Sequence, residues 1–353
     1  MIHIKLNNNQ ITEIKNLWCK WFFRTDKINE LVHILDCDVV FRKMIFSTDT
    51  EYENWKTSFQ TNSSLIKNEE WRTSICNYFF ANLSDEKAVL LQYKKKLHCD
   101  TQTFLLKNYD NYRLSVTFAK IVSIMKLEVC PYCNRNFLES YSLKNSNGTK
   151  KTYFKGDLDH HYPKDEIPAL ALSFYNLVPC CKVCNHEKLE STKRTFYPYY
   201  DHESTEYRFS VELYNENDVN DIIYDIPIEN IDSKRFDSTV WQGISDNFNI
   251  KLLGIGKTKL SEHMENSKAV FRLEKKYNHS KEYVKEIIRK KFIYPEIRKA
   301  ELLNNFSNLF NDESELLDTF YSFSTSGESS HNRPLSKLTE DILYQLGIIK
   351  ETE

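Results

Sequence analysis

Glycine and proline are scarce in this chain, seven and eight among 353 residues. No Gly-x-x-x-x-Gly-Lys-Ser/Thr run occurs, so the chain carries no P-loop, and nucleotide-driven work must come from a separate subunit. No apolar run is long enough to span a bilayer, which excludes a membrane segment of the usual kind. The opening stretch MIHIKLNNNQ lacks the basic-then-apolar pattern of a signal peptide. Positive charge is not in excess either: 48 Lys and Arg face 50 Asp and Glu, for a net charge of −2. That excludes a global basic field, so any contact with nucleic acid needs local patches or a partner's basic surface. No internal repeat is present.

The length allows two or three domains and a sizeable core. The nine cysteines are an odd number. Five of them, Cys130, Cys133, Cys180, Cys181 and Cys184, crowd into one stretch. This favours a reducing cytoplasm and a metal over a disulfide framework. Two Cys-x-x-Cys pairs, Cys130/Cys133 and Cys181/Cys184, suit a four-sulfur shell for structural zinc, each pair forming one knuckle. The two-residue gap favours Cys181 over its neighbour Cys180. A redox role needs only one such pair and ranks below zinc. Four sulfurs leave no open position, which argues against catalytic zinc.

Between the knuckles lie Asp159-His160, Pro163 and Asn176, and Asn185 directly follows Cys184. The spacing predicts a strand over Tyr153 to Leu158, a loop broken at Pro163, a second strand within Ala169 to Pro179, and a helix over Lys182 to Arg194. Zinc pinning both ends would make this a small ββα unit presenting Asp159, His160 and Asn185 around one hole. Asp159 and the Asn185 carbonyl are hard oxygen ligands that suit Mg²⁺ or Mn²⁺. A neutral His160 can take a proton from water. His161 is the base in a shifted register, against which the offset to Pro163 argues. His186 is the alternative to Asn185. Lys164 and Lys188 are either phosphate contacts or solvated lysines, and Asp157 is either a supporting carboxylate or a strand-edge charge.

These residues resemble the HNH, or ββα-metal, nuclease family. The family pattern is a metal-binding Asp or His, the base His, and Pro three residues later, matched by Asp159, His160 and Pro163. An Asn lies five residues before the second knuckle, as Asn176 does before Cys181, and a final His or Asn follows that knuckle, here Asn185. The resemblance implies catalysis by His160 with Asp159 and Asn185 on the metal, and Asn176 holding the backbone that aims His160. CPYC, LDHHYPK and LALSFYNLVPCCKVCN further resemble the HNH component of Septu-type and retron-associated anti-phage defence systems. That implies an effector endonuclease working with an ABC-type ATPase, with DNA as the default substrate. RNA such as tRNA is the alternative, and a non-catalytic zinc module that binds nucleic acid or a partner is another. One ββα unit cuts one strand, so double-strand cutting needs two copies or a second event.

The expected fold class is α+β, a mainly helical chain around this central unit. Residues 1–127 read as helices, with apolar stripes at Ile11, Ile14, Leu17, Trp18, Trp21 and Phe22, at Ile28, Leu31, Val32 and Leu35, and at Trp71, Ile75, Tyr78 and Phe79. Ser84 is the expected cap of a helix from Asp85. Tyr93 to Lys96 is a charge run that suits a solvated helix face or a phosphate backbone. Residues 128–204 should form the nuclease core, with Asn147-Gly148 as a hairpin tip between the first knuckle and Asp159 that leads into the catalytic strand. The lysines of that hairpin are candidate nucleic-acid contacts. Residues 205–321 should hold strands at Glu206 to Tyr214 and around Phe248 to Leu252, an acidic loop at Glu216 to Asp232, then helices, one capped by Ser280. Residues 322–353 read as a serine-rich linker and an amphipathic helix, docked in cis or free for a partner.

Overall fold

The protein is described by a computed structural model covering residues 1–61, 69–144, 146, 148–189, 191, 193–199, 207–215, 218–223, 236–255, 259–323 and 332–349. It is an α+β structure dominated by helices. The N-terminal region holds α1 (Asn8–Phe22), α2 (Thr25–Cys37), α3 (Val39–Ile45), α4 (Asp49–Thr61), α5 (Glu69–Phe79), α6 (Glu86–Tyr93), α7 (Cys99–Arg113) and α8 (Val116–Met125). Most residues of the stripes expected there are core, with Leu17 and Val32 partly buried against it, Ile11 half-buried outside it, and the Trp71 side chain outside the described ones. Trp18 stacks on Phe22 at 4.7 Å and meets Phe79 at 4.9 Å. Burying side chains of this size stabilises by about 1.5–3 kcal/mol each. Asn7 starts α1 with a capping box, exchanging hydrogen bonds with Gln10. The cap of α6 is Asp85 rather than Ser84, because its carboxylate accepts from the amide of Ala88. Tyr93 is buried, while Lys94 to Lys96 are exposed.

Next come β1 (Ser140–Lys144) and β2 (Lys150–Phe154), an antiparallel hairpin. Its tip has Gly148 at φ +79°, though Asn147 lies outside the described residues. Phe154 packs edge-on against Phe118 of α8. The strand expected over Tyr153 to Leu158 is divided at Gly156. A Cβ there would lie 2.8 Å from the Cys180 carbonyl and closer still to the Phe154 ring. Glycine therefore lets the chain leave β2 and begin β3 (Asp157–His160) hard against β4 (Leu177–Cys180). The second strand is much shorter than the apolar run, because Pro168–Leu170 and Phe174–Asn176 form single 3₁₀ turns. Helix α9 (Lys182–Leu189) follows and packs on β3, ending before the expected Arg194.

A second sheet has order β6-β5-β7, from β5 (Tyr207–Asn215), β6 (Asp218–Ile223) and β7 (Phe248–Gly254). Strand β6 falls inside the stretch expected as an acidic loop, and the rest of that stretch and Glu206 lie outside the described residues. Helices α10 (Glu262–Val270), α11 (Leu273–Asn278), α12 (Lys281–Ile293), α13 (Glu296–Asn305), α14 (Glu313–Tyr321) and α15 (Ser336–Gln345) complete the chain. Ser280 precedes α12 without capping it; its hydroxyl accepts from Arg135 instead. The C-terminal helix α15 is docked in cis. Asp341 and Gln345 accept from the amides of Phe209 and Val211, both at 2.8 Å, and so cover the edge of β5. Most of the serine-rich linker lies outside the described residues. One hydrophobic core cluster runs from Met1 to Leu346, so the four sequence regions share a single interior. Among the described residues no helix is long and apolar enough to cross a membrane.

Candidate functional site

The two Cys-x-x-Cys pairs meet. The sulfurs of Cys130, Cys133, Cys181 and Cys184 all lie within 4.8 Å of one another, and all four residues are buried. A tetrahedral zinc with Zn–S bonds of about 2.3 Å needs sulfurs roughly 3.8 Å apart. The Cys133–Cys181 separation is 4.0 Å. The knuckles also supply donors to sulfur, as a thiolate shell requires. The Cys181 amide reaches Cys130 at 3.3 Å, and the Asn136 side chain reaches Cys181 at 3.2 Å. Burial pushes the Cys130 thiol up, while hydrogen bonds led by Cys130 pull Cys133 and Cys181 down. The cluster is thus able to hold a metal such as zinc. Cys180 stands apart from it. It ends β4 opposite Asp157, and burial pushes its thiol well up.

The first knuckle is tied to the rest of the chain through Asn134. Its backbone is left-handed, with φ +46°, and its side-chain oxygen accepts from the Lys337 amide at 2.9 Å in the first turn of α15. Tyr277 donates to the Cys133 carbonyl at 2.7 Å.

Beside the cluster, α7, β3, the turn after it and α9 line a cavity of about 270 Å³, with Tyr109, Asp159, His160, Lys164, Asn185 and Lys188 among its walls. Asp159 and His160 lie in β3 itself, opposite Val178 and Leu177. Alternation along the strand starts their side chains toward opposite faces, yet both residues line the cavity. The His160 Nε2 lies 3.0 Å from the Ala171 carbonyl. A carbonyl only accepts, so Nε2 carries the proton and Nδ1 keeps its lone pair in the neutral ring. Tyr109 packs on this ring at 4.2 Å. Burial pushes His160 down from 6.5 to about 4, so it is neutral at pH 7.

Asn176 is fully buried and clamps the turn after His160. Its oxygen accepts from the Tyr162 amide at 2.7 Å, and its nitrogen donates to the carbonyls of Tyr162 and Leu170. His161 lies across from Tyr197 at 4.5 Å, and burial holds it well below its usual range. Its Nδ1 has no hydrogen-bond partner among the described residues. Asn185 donates from Nδ2 to Asp157 at 3.0 Å, and its side-chain oxygen has no hydrogen-bond partner among the described residues. His186 is exposed on α9.

Lys188 differs from its expected place. It is not solvated but buried, and its ammonium donates to Asp159 Oδ2 at 2.7 Å and to the carbonyls of His160 and His161. Asp159 Oδ2 also accepts from Tyr132 at 2.6 Å, while Oδ1 has no hydrogen-bond partner among the described residues. Sequence reasoning missed Tyr132, Tyr109 and this role of Lys188. Tyr132 sits inside the first Cys-x-x-Cys, and that position was its only signal. The other two are brought in from other helices. No family model, no curated protein and no solved structure matches the chain.

Proposed function

We propose that the chain is a metal-dependent phosphodiesterase built on a zinc-stapled ββα unit. Within that class we read it as an HNH endonuclease that cuts DNA. The observation that carries the reading is the convergence of Asp159, His160 and Asn185 on one cavity beside the four-cysteine cluster. Asp159 Oδ1 and the Asn185 oxygen are the protein atoms that would hold Mg²⁺ or Mn²⁺, and they fit a hard cation because neither is hydrogen-bonded among the described residues. When bound, such a cation neutralises charge on the scissile phosphate and the leaving oxygen. His160 takes the proton of the attacking water on Nδ1, with the Ala171 carbonyl fixing its tautomer. Asn176 acts through His160 by holding the backbone behind it. Lys188 and Tyr132 orient Asp159.

The chain would be the effector subunit of an anti-phage complex whose ABC-type ATPase is a separate protein. The absence of a P-loop and the near-neutral charge support that division of labour. The Lys188–Asp159 pair favours a second reading, a non-catalytic zinc module, because a cation already sits on the carboxylate.

The test is cleavage of plasmid DNA and of total tRNA by wild-type and His160→Ala protein, with Mg²⁺, Mn²⁺ or EDTA, alone and with the ATPase. Metal-dependent cutting that vanishes in the variant supports the reading, and the substrate cut decides DNA against RNA. Cutting that survives in His160→Ala removes the base assignment. No cutting with the ATPase present leaves the zinc module.

A further inference from the structure

The β1–β2 hairpin leads through Gly156 directly into β3 and the cavity, and its two faces differ. On one face Phe154 packs on α8, and Ser140 meets Ser123 at 2.9 Å. The other face is turned outward. Tyr141 and Tyr153 are cross-strand partners stacked at 5.5 Å with planes 24° apart. Lys151 lies over the Tyr153 ring at 5.2 Å and Lys155 over the Tyr141 ring at 5.9 Å. Leu143 beside them is 54% exposed. Residues 139–155 hold four lysines and one glutamate, in a chain whose net charge is −2. Among the described residues Lys144, Lys150, Lys151 and Lys155 form no ion pair, although most buried or half-buried lysines elsewhere do. At the foot of the hairpin Tyr141 also lines an open groove of about 790 Å³ together with Phe137, which is 64% exposed.

We infer that this hairpin face and its groove bind a single-stranded stretch of nucleic acid, with Tyr141, Tyr153 and Phe137 as stacking positions for bases, Lys151 and Lys155 on the same face as phosphate contacts, and Lys144 and Lys150 near the tip adding positive charge from the other face. Aromatic rings interleaved with unpaired lysines fit a strand that offers both flat faces and regular negative charge. A duplex offers the charge but keeps its base faces stacked, so the rings favour unpaired bases. An apolar protein partner would leave the four lysines without counter-charge. The inference deepens the nuclease reading by naming where the substrate lies, but binding can be measured without cleavage.

The experiment is fluorescence anisotropy in EDTA with the full chain, using labelled dT20, U20 and a 20-base-pair duplex over a salt series. Wild-type protein is expected to prefer the single strands. Tyr141→Ala/Tyr153→Ala should weaken binding to them roughly tenfold or more. Tyr141→Phe/Tyr153→Phe keeps both rings and should bind like wild type. Lys151→Glu/Lys155→Glu keeps the ring pair and should lower both the affinity and the salt slope. Zinc content and thermal melting of each variant check that the fold is kept. Equal binding by the wild type and the lysine variant overturns the inference, as does absence of binding by the wild type. Either result leaves the nuclease reading to the His160→Ala cleavage assay. Comparison of dT20 with U20 separates a DNA from an RNA strand.

Discussion

Lys188 and Asp159 form an ion pair of 2.7 Å with both side chains only 6% exposed. One comes from α9 and the other from β3, so the pair fastens the helix to the strand that also carries His160. Taking both charges out of water costs several kcal/mol, and the pair holds because carbonyl oxygens and Tyr132 complete its hydrogen bonds.

Removing one partner strands the other. Lys188→Met is expected to destabilise the protein by about 3–5 kcal/mol, since an unpaired buried carboxylate remains. Lys188→Met/Asp159→Asn should recover part of that loss. Urea unfolding of wild type, Lys188→Met, Asp159→Asn and the double variant checks this, and additive losses in the double variant would contradict the coupling.

Metal removal should act on the whole fold, because the first knuckle anchors α15 through Asn134 and α11 through Tyr277. Wild-type protein is expected to contain about one zinc per chain, and Cys181→Ser to lose it. Chelation should lower Tm. Elemental analysis with thermal melting checks both, and Cys180→Ser should keep its zinc.

Asn176→Ala removes three hydrogen bonds from the turn behind His160. Left unsatisfied, the buried Tyr162 amide and the two carbonyls cost on the order of 1–3 kcal/mol each. If the nuclease reading holds, kcat should fall with KM little changed, because Asn176 is fully buried and meets no substrate. Single-turnover and steady-state cleavage separate the two parameters.

Asp341 gives a pH dependence. Burial raises its carboxyl from 3.8 to about 6, although Lys337 and the Phe209 amide pull the other way. Lys337 is itself raised despite burial, because Asp341 and Glu340 both face it. The pair is unequal: the single carboxylate loses more to burial than the shared lysine returns. Between about pH 4 and 6 the folded state holds this proton while the unfolded chain has released it. The stability contributed by Asp341 therefore falls as pH rises through that window, by roughly 3 kcal/mol in all. The Tm of wild type minus that of Asp341→Asn should decline from pH 4 to pH 6, and a flat difference would contradict the raised carboxyl.

Spacing alone marked the four-cysteine cluster and the core stripes, since a Cys-x-x-Cys turn and a helical period are local geometry. It also drew Asp159, His160 and Asn185 toward one hole, because strand and helix lengths limit where they can point. Caps were less legible. Ser84 and Asp85 are both good capping residues, and only the turn geometry selects Asp85. The apolar run from Ala169 to Pro179 could not reveal its two 3₁₀ turns, because they bury the same residues that a strand would.

The sequence by itself determined which residues could hold zinc and which could do acid–base chemistry. Those properties belong to side-chain type and short spacing. Only the tertiary structure decided that Cys180 leaves the cluster, that Lys188 is buried on Asp159, that Ala171 fixes the His160 tautomer, and that α15 closes the edge of β5. Each of these pairs groups from different elements, and the gain from satisfying a buried charge or amide exists only once packing has excluded water from both partners.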